Sequence, residues 1–197
     1  MHIAHCTLLI GKRGTRMDYT EKQLSRRDIY RGRIITVHCD EVELSDGSVS
    51  RREIVEHHGG VAVLPVDADG RVYCVRQYRY AYGKSLLEAP AGKLEAGEDP
   101  LECAVRELSE ETGFTAERYI PLGSLYPSPG YCSEVLYLYL ALGLRPGEAH
   151  LDKGEFLDVE THSLDELLDM AMRDEIHDAK TVAAVLKAKR YLDERNG

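Results

Sequence analysis

Between Gly92 and Phe114 the chain reads GKLEAGEDPLECAVRELSEETGF, and no other stretch narrows its possible folds as much. Asp99 is a good helix N-cap, Pro100 suits a first turn, and Gly113 suits a C-terminal exit. The spacing therefore predicts a helix from about residue 100 to 112. Leu101, Ala104, Val105 and Leu108 recur at helical spacing and are its expected core stripe. Glu107, Glu110 and Glu111 fall to the side of that stripe. Carboxylates three and four positions apart sit side by side on a helix, and each like-charge pair costs roughly 0.2–0.5 kcal/mol. A bound cation would remove that cost.

The segments around this helix alternate as strands do. DIYRGRIITVHCDEVEL and SVSRREIVEH, joined by the turn signal SDG, predict a hairpin over residues 28–58. GVAVLPVD, ADG and RVYCVRQYRY predict strand, turn and strand from Gly60 to Tyr80, the first apolar enough to be buried on both faces. LLEAPAGKLEAGE reads as a Gly- and Pro-punctuated loop leading into the helix. YIPLGSLYPSPG, SEVLYLYLALGL and FLDVETHS read as further strands and a Pro-rich loop. LDELLDMAMRDE and DAKTVAAVLKAKRYLDERN close the chain as helices. The expectation is an α/β (α+β) chain with a central helix flanked by strands.

At 197 residues the chain suits one domain with attachments. Its formal charge of −9 disfavours nucleic-acid wrapping and offers no basic patch to a membrane. No apolar run approaches the ~20 residues that cross a bilayer. The five cysteines (Cys6, Cys39, Cys74, Cys103, Cys132) are spread singly and read as reduced packing residues of a cytoplasmic protein. The apolar run Ile3–Ile10 has no signal-peptide flanks. Residues 1–16 are expected to be a disordered or dispensable extension before Met17.

Counted literally, the opening stretch is Gly92, five residues, Glu98, seven residues, Arg106-Glu107-Leu108, one residue, Glu110-Glu111, one residue, Gly113-Phe114. All nine defined positions of the Nudix box are filled over 23 residues. The chain thus resembles the Nudix hydrolases. That resemblance implies an α/β/α sandwich with a mixed β-sheet and cleavage of a nucleoside diphosphate linked to another group. It places metal ligands at Glu107, Glu111 and the Ala91 carbonyl, with Glu110 contributing and Mg2+ or Mn2+ as the cation. Glu98 and Arg106 are expected to orient the box, Arg106 reaching Glu110 at i+4.

RREIVEH, VRQYRY, LLEAPAGKLE, SPGYCSE and EIHDAKT, with Pro129 sixteen residues after Gly113, resemble the bacterial ADP-ribose pyrophosphatase branch over residues 28–192. The branch implies hydrolysis of ADP-ribose to AMP and ribose 5-phosphate. Its substrate contacts fall at Arg51, Arg52, Glu56, Arg79, Lys93, Ser128, Gly130 and Glu134. The catalytic base is expected in HLDKGEFLDV, with Glu155 first, Asp152 second and Glu110 third, although Lys153 and Gly154 stand where acidic neighbours are usual. The resemblance also implies a homodimer whose N-terminal strands complete the partner's pocket. Residues 1–27 are then an extension, 28–58 a β-rich dimerisation region and 59–197 the hydrolase domain. The alternatives are a hydrolase of a GDP- or UDP-sugar and a non-hydrolysing ADP-ribose sensor.

Overall fold

The computed structural model describes residues 18–196, so the expectations for residues 1–16 and for Cys6 lie outside them. Strand β4 (Gly60–Val66) is the axis of the fold, and each of its seven residues is buried. Its alternation feeds two apolar layers. Val61 and Val63 meet Cys103, Ala104 and Leu108 of helix α1 (Pro100–Thr112) on one face of the sheet. Ala62, Leu64 and Val66 meet Leu167 of α2 (Leu164–Met172) and Val185 of α3 (Ala179–Asn196) on the other. Each such Val or Leu contributes about 1.5–3 kcal/mol on burial.

The sheet runs β10-β5-β4-β9-β8, with β5 spanning Arg71–Arg79, β8 Phe114–Leu125, β9 Leu136–Pro146 and β10 Leu157–Ser163. β4 and β9 are parallel and the other pairs antiparallel, which makes the sheet mixed as expected. The stretch expected to be loop holds two short strands, β6 (Lys84–Glu88) on β5 and β7 (Ala91–Lys93) on β4. β6 returns on β5 as a hairpin through the turn Tyr80–Gly83, whereas β7 bonds to β4 some thirty residues earlier and has no local signature.

A separate antiparallel sheet precedes this domain. It consists of β1 (Lys22–Arg31), β2 (Ile35–Glu43) and β3 (Val49–His57). The expected hairpin is β2–β3, while β1 begins inside the segment assigned to an extension. Every residue of β1 is exposed. β3 is tied to the loop after β8 by the Val55 N–H donating to the Tyr131 carbonyl (2.7 Å) and the Ser133 N–H donating to the Val55 carbonyl (2.9 Å). Among the described residues no helix is long and apolar enough to cross a membrane.

Helix α1 has the expected ends. The Asp99 carboxylate accepts from the N–H groups of Leu101 (2.8 Å) and Glu102 (3.3 Å). Gly113 exits at φ 74°, where a Cβ would also meet the Ala149 nitrogen at 2.8 Å. Its buried face departs from expectation. Cys103, Ala104, Leu108 and Glu111 are buried, whereas Leu101 and Val105 are 42% and 39% exposed. The Ala91 N–H donates to Glu111 (2.9 Å) and Cys103 lies against the Lys93 carbonyl, so β7 turns the acidic side of the helix inward.

Candidate active site

The β7 backbone crosses beneath α1, and Gly92 makes this approach possible. A Cβ on Gly92 would lie 1.7 Å from the Glu107 carboxylate. Any side chain there would evict Glu107. Arg106 fixes the neighbouring acids from above. Its Nε and Nη2 grip both oxygens of Glu98 (2.9 and 3.1 Å), and its Nη1 donates to Glu107 (2.8 Å) and Glu110 (2.9 Å). Glu98 also accepts from the Glu95 N–H (2.9 Å). The Arg106 guanidinium holds the Glu98 carboxyl down to about 2. Arg106 makes the expected i+4 contact with Glu110 and is paired with Glu98.

The acids beneath are strained electrostatically. Burial pushes the Glu111 carboxyl up to about 8, and the charges of Glu107 and Glu155 add to the effect against the Ala91 N–H and the charge of Lys180. Burial also raises Glu107, with Glu110 and Glu155 opposing the relief given by Arg106. A buried and a half-buried carboxylate flanked by two more have a shortage of positive charge. Glu107, Glu110, Glu111, Asp152, Glu155 and Ala91 all border one cavity of about 280 Å3. Hard oxygen donors with unrelieved charge fit a divalent cation of the Mg2+ type. Among the described residues no three acidic, His or Cys side chains already converge on one point. Arg106 holds Glu107 and Glu110 instead, so loading the site would draw them from it.

Loop 147–156 delivers Asp152 and Glu155 from the far side. The His150 N–H donates to the Glu110 carbonyl (2.9 Å), and the Glu155 N–H to the Asp152 carbonyl (3.0 Å). This pins the loop to the C-terminal turn of α1.

A second cavity, of about 410 Å3, adjoins the first through Arg79, Ala91, Gly92, Lys93, His57 and Ile34. Of the expected substrate contacts, Arg79, Lys93 and Glu134 border this second cavity. The other substrate candidates do not border these two cavities. Arg51 is exposed beside Glu41 (3.7 Å), and Arg52 is gripped by Glu21. Glu56 pairs with Arg26 and borders a different cleft of about 670 Å3 within the N-terminal sheet. Ser128 accepts from the N–H groups of Tyr131 and Cys132, Gly130 is exposed, and it is Pro127 that reaches the second cavity.

Sequence reasoning missed Glu88, Asp178 and Lys180. Glu88 is 1% exposed, and both its oxygens accept from Arg79 (2.7 Å each). Lys180, in the first turn of α3, donates to Glu88 and to Asp178 (2.9 Å). Burial pushes the Glu88 carboxyl up, but Arg79 and Lys180 outweigh it and leave it below the ordinary range. Both partners lie in stretches singled out for their resemblance, LLEAPAGKLE and EIHDAKT, yet their pairing crosses 92 positions.

Comparison with known proteins covers nearly the whole described chain. A NUDIX domain model matches residues 56–185, and a nucleoside diphosphate sugar hydrolase N-terminal domain model matches residues 21–55. The second match coincides with the separate sheet and starts earlier than the boundary expected at residue 28. A protein of Bacillus methanolicus named methanol dehydrogenase activator is 44% identical over 169 residues, 85% of this chain and 91% of that one. The ADP-ribose pyrophosphatase of Bacillus subtilis is 40% identical over 167 residues, 84% and 90% of the two chains. A crystal structure of an ADP compounds hydrolase superposes with a TM-score of 0.81, covering 92% of this chain and 98% of that one. At 24% identity, that match speaks to the fold alone.

Proposed function

The chain belongs to the Nudix hydrolase family, and from that premise we propose that it hydrolyses the pyrophosphate bond of ADP-ribose, giving AMP and ribose 5-phosphate. One observation carries the reading. A wall of carboxylates (Glu107, Glu110, Glu111, Asp152, Glu155) and a wall bearing Arg79, Lys93 and Lys180 face adjoining cavities that share Ala91 and Gly92. A diphosphate lying across that boundary meets guanidinium and ammonium donors on one side. A divalent cation, Mg2+ or Mn2+, would be held by Glu107, Glu111 and the Ala91 carbonyl, with Glu110 and Glu155 close by; when bound it supplies neutralisation of phosphate charge and a fixed position for water.

The chain's own residues supply the remainder. Water attacks phosphorus, the bridging P–O bond breaks, and Glu155 takes the water's proton, with Asp152 and then Glu110 the next candidates. Glu134 suits ribose hydroxyls from the opposite rim. Arg51, Arg52 and Glu56 face away from this cleft, so their use as substrate contacts requires delivery to a second chain. A homodimer built on β1 fits that need, because a strand exposed along its whole length with Leu24, Ile29 and Tyr30 uncovered has no core of its own. The free thiols of Cys39, Cys74, Cys103 and Cys132 suit a reducing, cytoplasmic setting.

The test is AMP release with excess Mg2+ across a panel of ADP-ribose, GDP-mannose and UDP-glucose, with Glu155→Gln and Asp152→Asn alongside. A kcat/KM at least tenfold higher for ADP-ribose is expected, with the Glu155→Gln loss exceeding that of Asp152→Asn. A higher value for GDP-mannose overturns the substrate assignment. Tight binding of ADP-ribose without AMP release moves the protein to the sensor class.

A further inference from the structure

Glu88 is an anomaly unless it has a task. A carboxylate 1% exposed on β6 touches neither the metal-binding acids nor the solvent, and burying a charge is costly without close partners. Its partners are two cations, Arg79 nine positions before it and Lys180 92 positions after it. Arg79 meets it side-on through Nε and Nη2 at 2.7 Å each, and Lys180 reaches the same Oε2 as Nη2. That grip leaves Nη1 of Arg79, and a third proton on the Lys180 ammonium after its bond to Asp178, for a ligand in the cleft. Asp178 is itself fixed, since its carboxylate accepts from the Thr181 N–H (3.0 Å) and hydroxyl. The Thr181 hydroxyl accepts from the Ala89 N–H (2.7 Å), next in sequence to Glu88. The cluster locks β5, β6 and the start of α3 behind the cavity that Arg79, Asp178 and Lys180 border.

We propose that Glu88 is a positioning residue for substrate binding: from behind the cleft wall it holds Arg79 and Lys180 side by side and aimed at the diphosphate. The inference rests on the reading of this cleft as the diphosphate site. Its physical content is preorganisation. Arg and Lys side chains lose rotamer freedom when fixed, and a cation already fixed before the ligand arrives is spared that loss. Removing Glu88 therefore leaves both cations that face the cleft less ordered.

The test is binding of inorganic pyrophosphate to the full chain in EDTA, measured by titration calorimetry, for wild type, Glu88→Gln, Arg79→Gln and the double variant, together with steady-state kinetics on ADP-ribose with Mg2+. Glu88→Gln is expected to weaken pyrophosphate binding about tenfold and to raise KM by a similar factor, with kcat within threefold of wild type. The loss in the double variant is expected to fall clearly short of the product of the two single losses, since Glu88 acts in part through the arginine and in part through Lys180. Pyrophosphate binding by Glu88→Gln equal to or tighter than wild type, or losses that multiply in the double variant, would overturn the proposal. If Glu88→Gln fails to fold, Glu88→Asp, which keeps the charge but is too short to span both cations, carries the same test: wild-type pyrophosphate affinity in it overturns the proposal. Weakened pyrophosphate binding without any turnover of ADP-ribose leaves the Glu88 role standing and removes only the substrate assignment.

Discussion

Glu111→Gln should stabilise the cation-free protein while destroying its activity, and the size of the effect should depend on pH. The folded Glu111 carboxyl keeps its proton up to about 8, against an ordinary value of 4.5. Between those values the unfolded chain has released a proton that the folded chain retains, so stability falls as pH rises. The contribution is fully present below about 4.5 and is lost on passing through about 8. The difference of about 3.5, at 1.36 kcal/mol each, sets an upper figure of about 5 kcal/mol. Glutamine cannot titrate, and its carbonyl can still accept from the Ala91 N–H. Thermal melting in EDTA should therefore give nearly equal Tm values at pH 5 and a variant higher by on the order of 10 °C at pH 8 to 9, using roughly 2–4 °C per kcal/mol for a domain of this size. Mg2+ added at pH 8 should raise the wild type and leave the variant unmoved. A Tm difference that stays flat from pH 5 to 9 would refute the electrostatic account of the site.

Two further substitutions probe the scaffold. Gly92→Ala puts a methyl 1.7 Å from the Glu107 carboxylate, so kcat/KM should fall at least a hundredfold, about 3 kcal/mol of transition-state stabilisation, while circular dichroism stays native; near-normal turnover would show that Glu107 sits elsewhere in the working enzyme. Arg106→Ala frees Glu98, Glu107 and Glu110 together, and should lower kcat/KM tenfold or more and leave the Mg2+ concentration needed for half-maximal rate changed by at least threefold; unchanged metal dependence would reduce Arg106 to a surface pair.

What could be read before folding was what is local. The ends of α1 are set by Asp99, Pro100 and Gly113 acting on their own backbone neighbours, and β4 announced itself by seven residues with hardly a polar atom in their side chains. The buried face of α1 was misjudged because it is chosen by β7, whose hydrogen bonds to β4 join segments some thirty residues apart. β1 was missed for a related reason. A strand whose residues all face solvent carries no apolar alternation, and only its pairing with β2 defines it. Arg51, Arg52 and Glu56 sit on the strand that was expected, yet side-chain alternation and the partners Glu41, Glu21 and Arg26 keep them in the N-terminal sheet.

Glu88 and Glu111 make the point about function more sharply. They are the same residue type, 1% and 4% exposed, on opposite sides of one short strand, and their carboxyls move in opposite directions. The chain answers the first with two cations of its own. To the second it offers one backbone N–H and the charge of Lys180, and surrounds it with further negative charge. In the reading proposed above, a ligand cation would answer the remaining shortage at Glu111, as Arg79 and Lys180 answer it at Glu88. The contrast separates an acid that gathers the protein's own cations from one left short of them, and it is invisible until β6, α1 and α3 are in place.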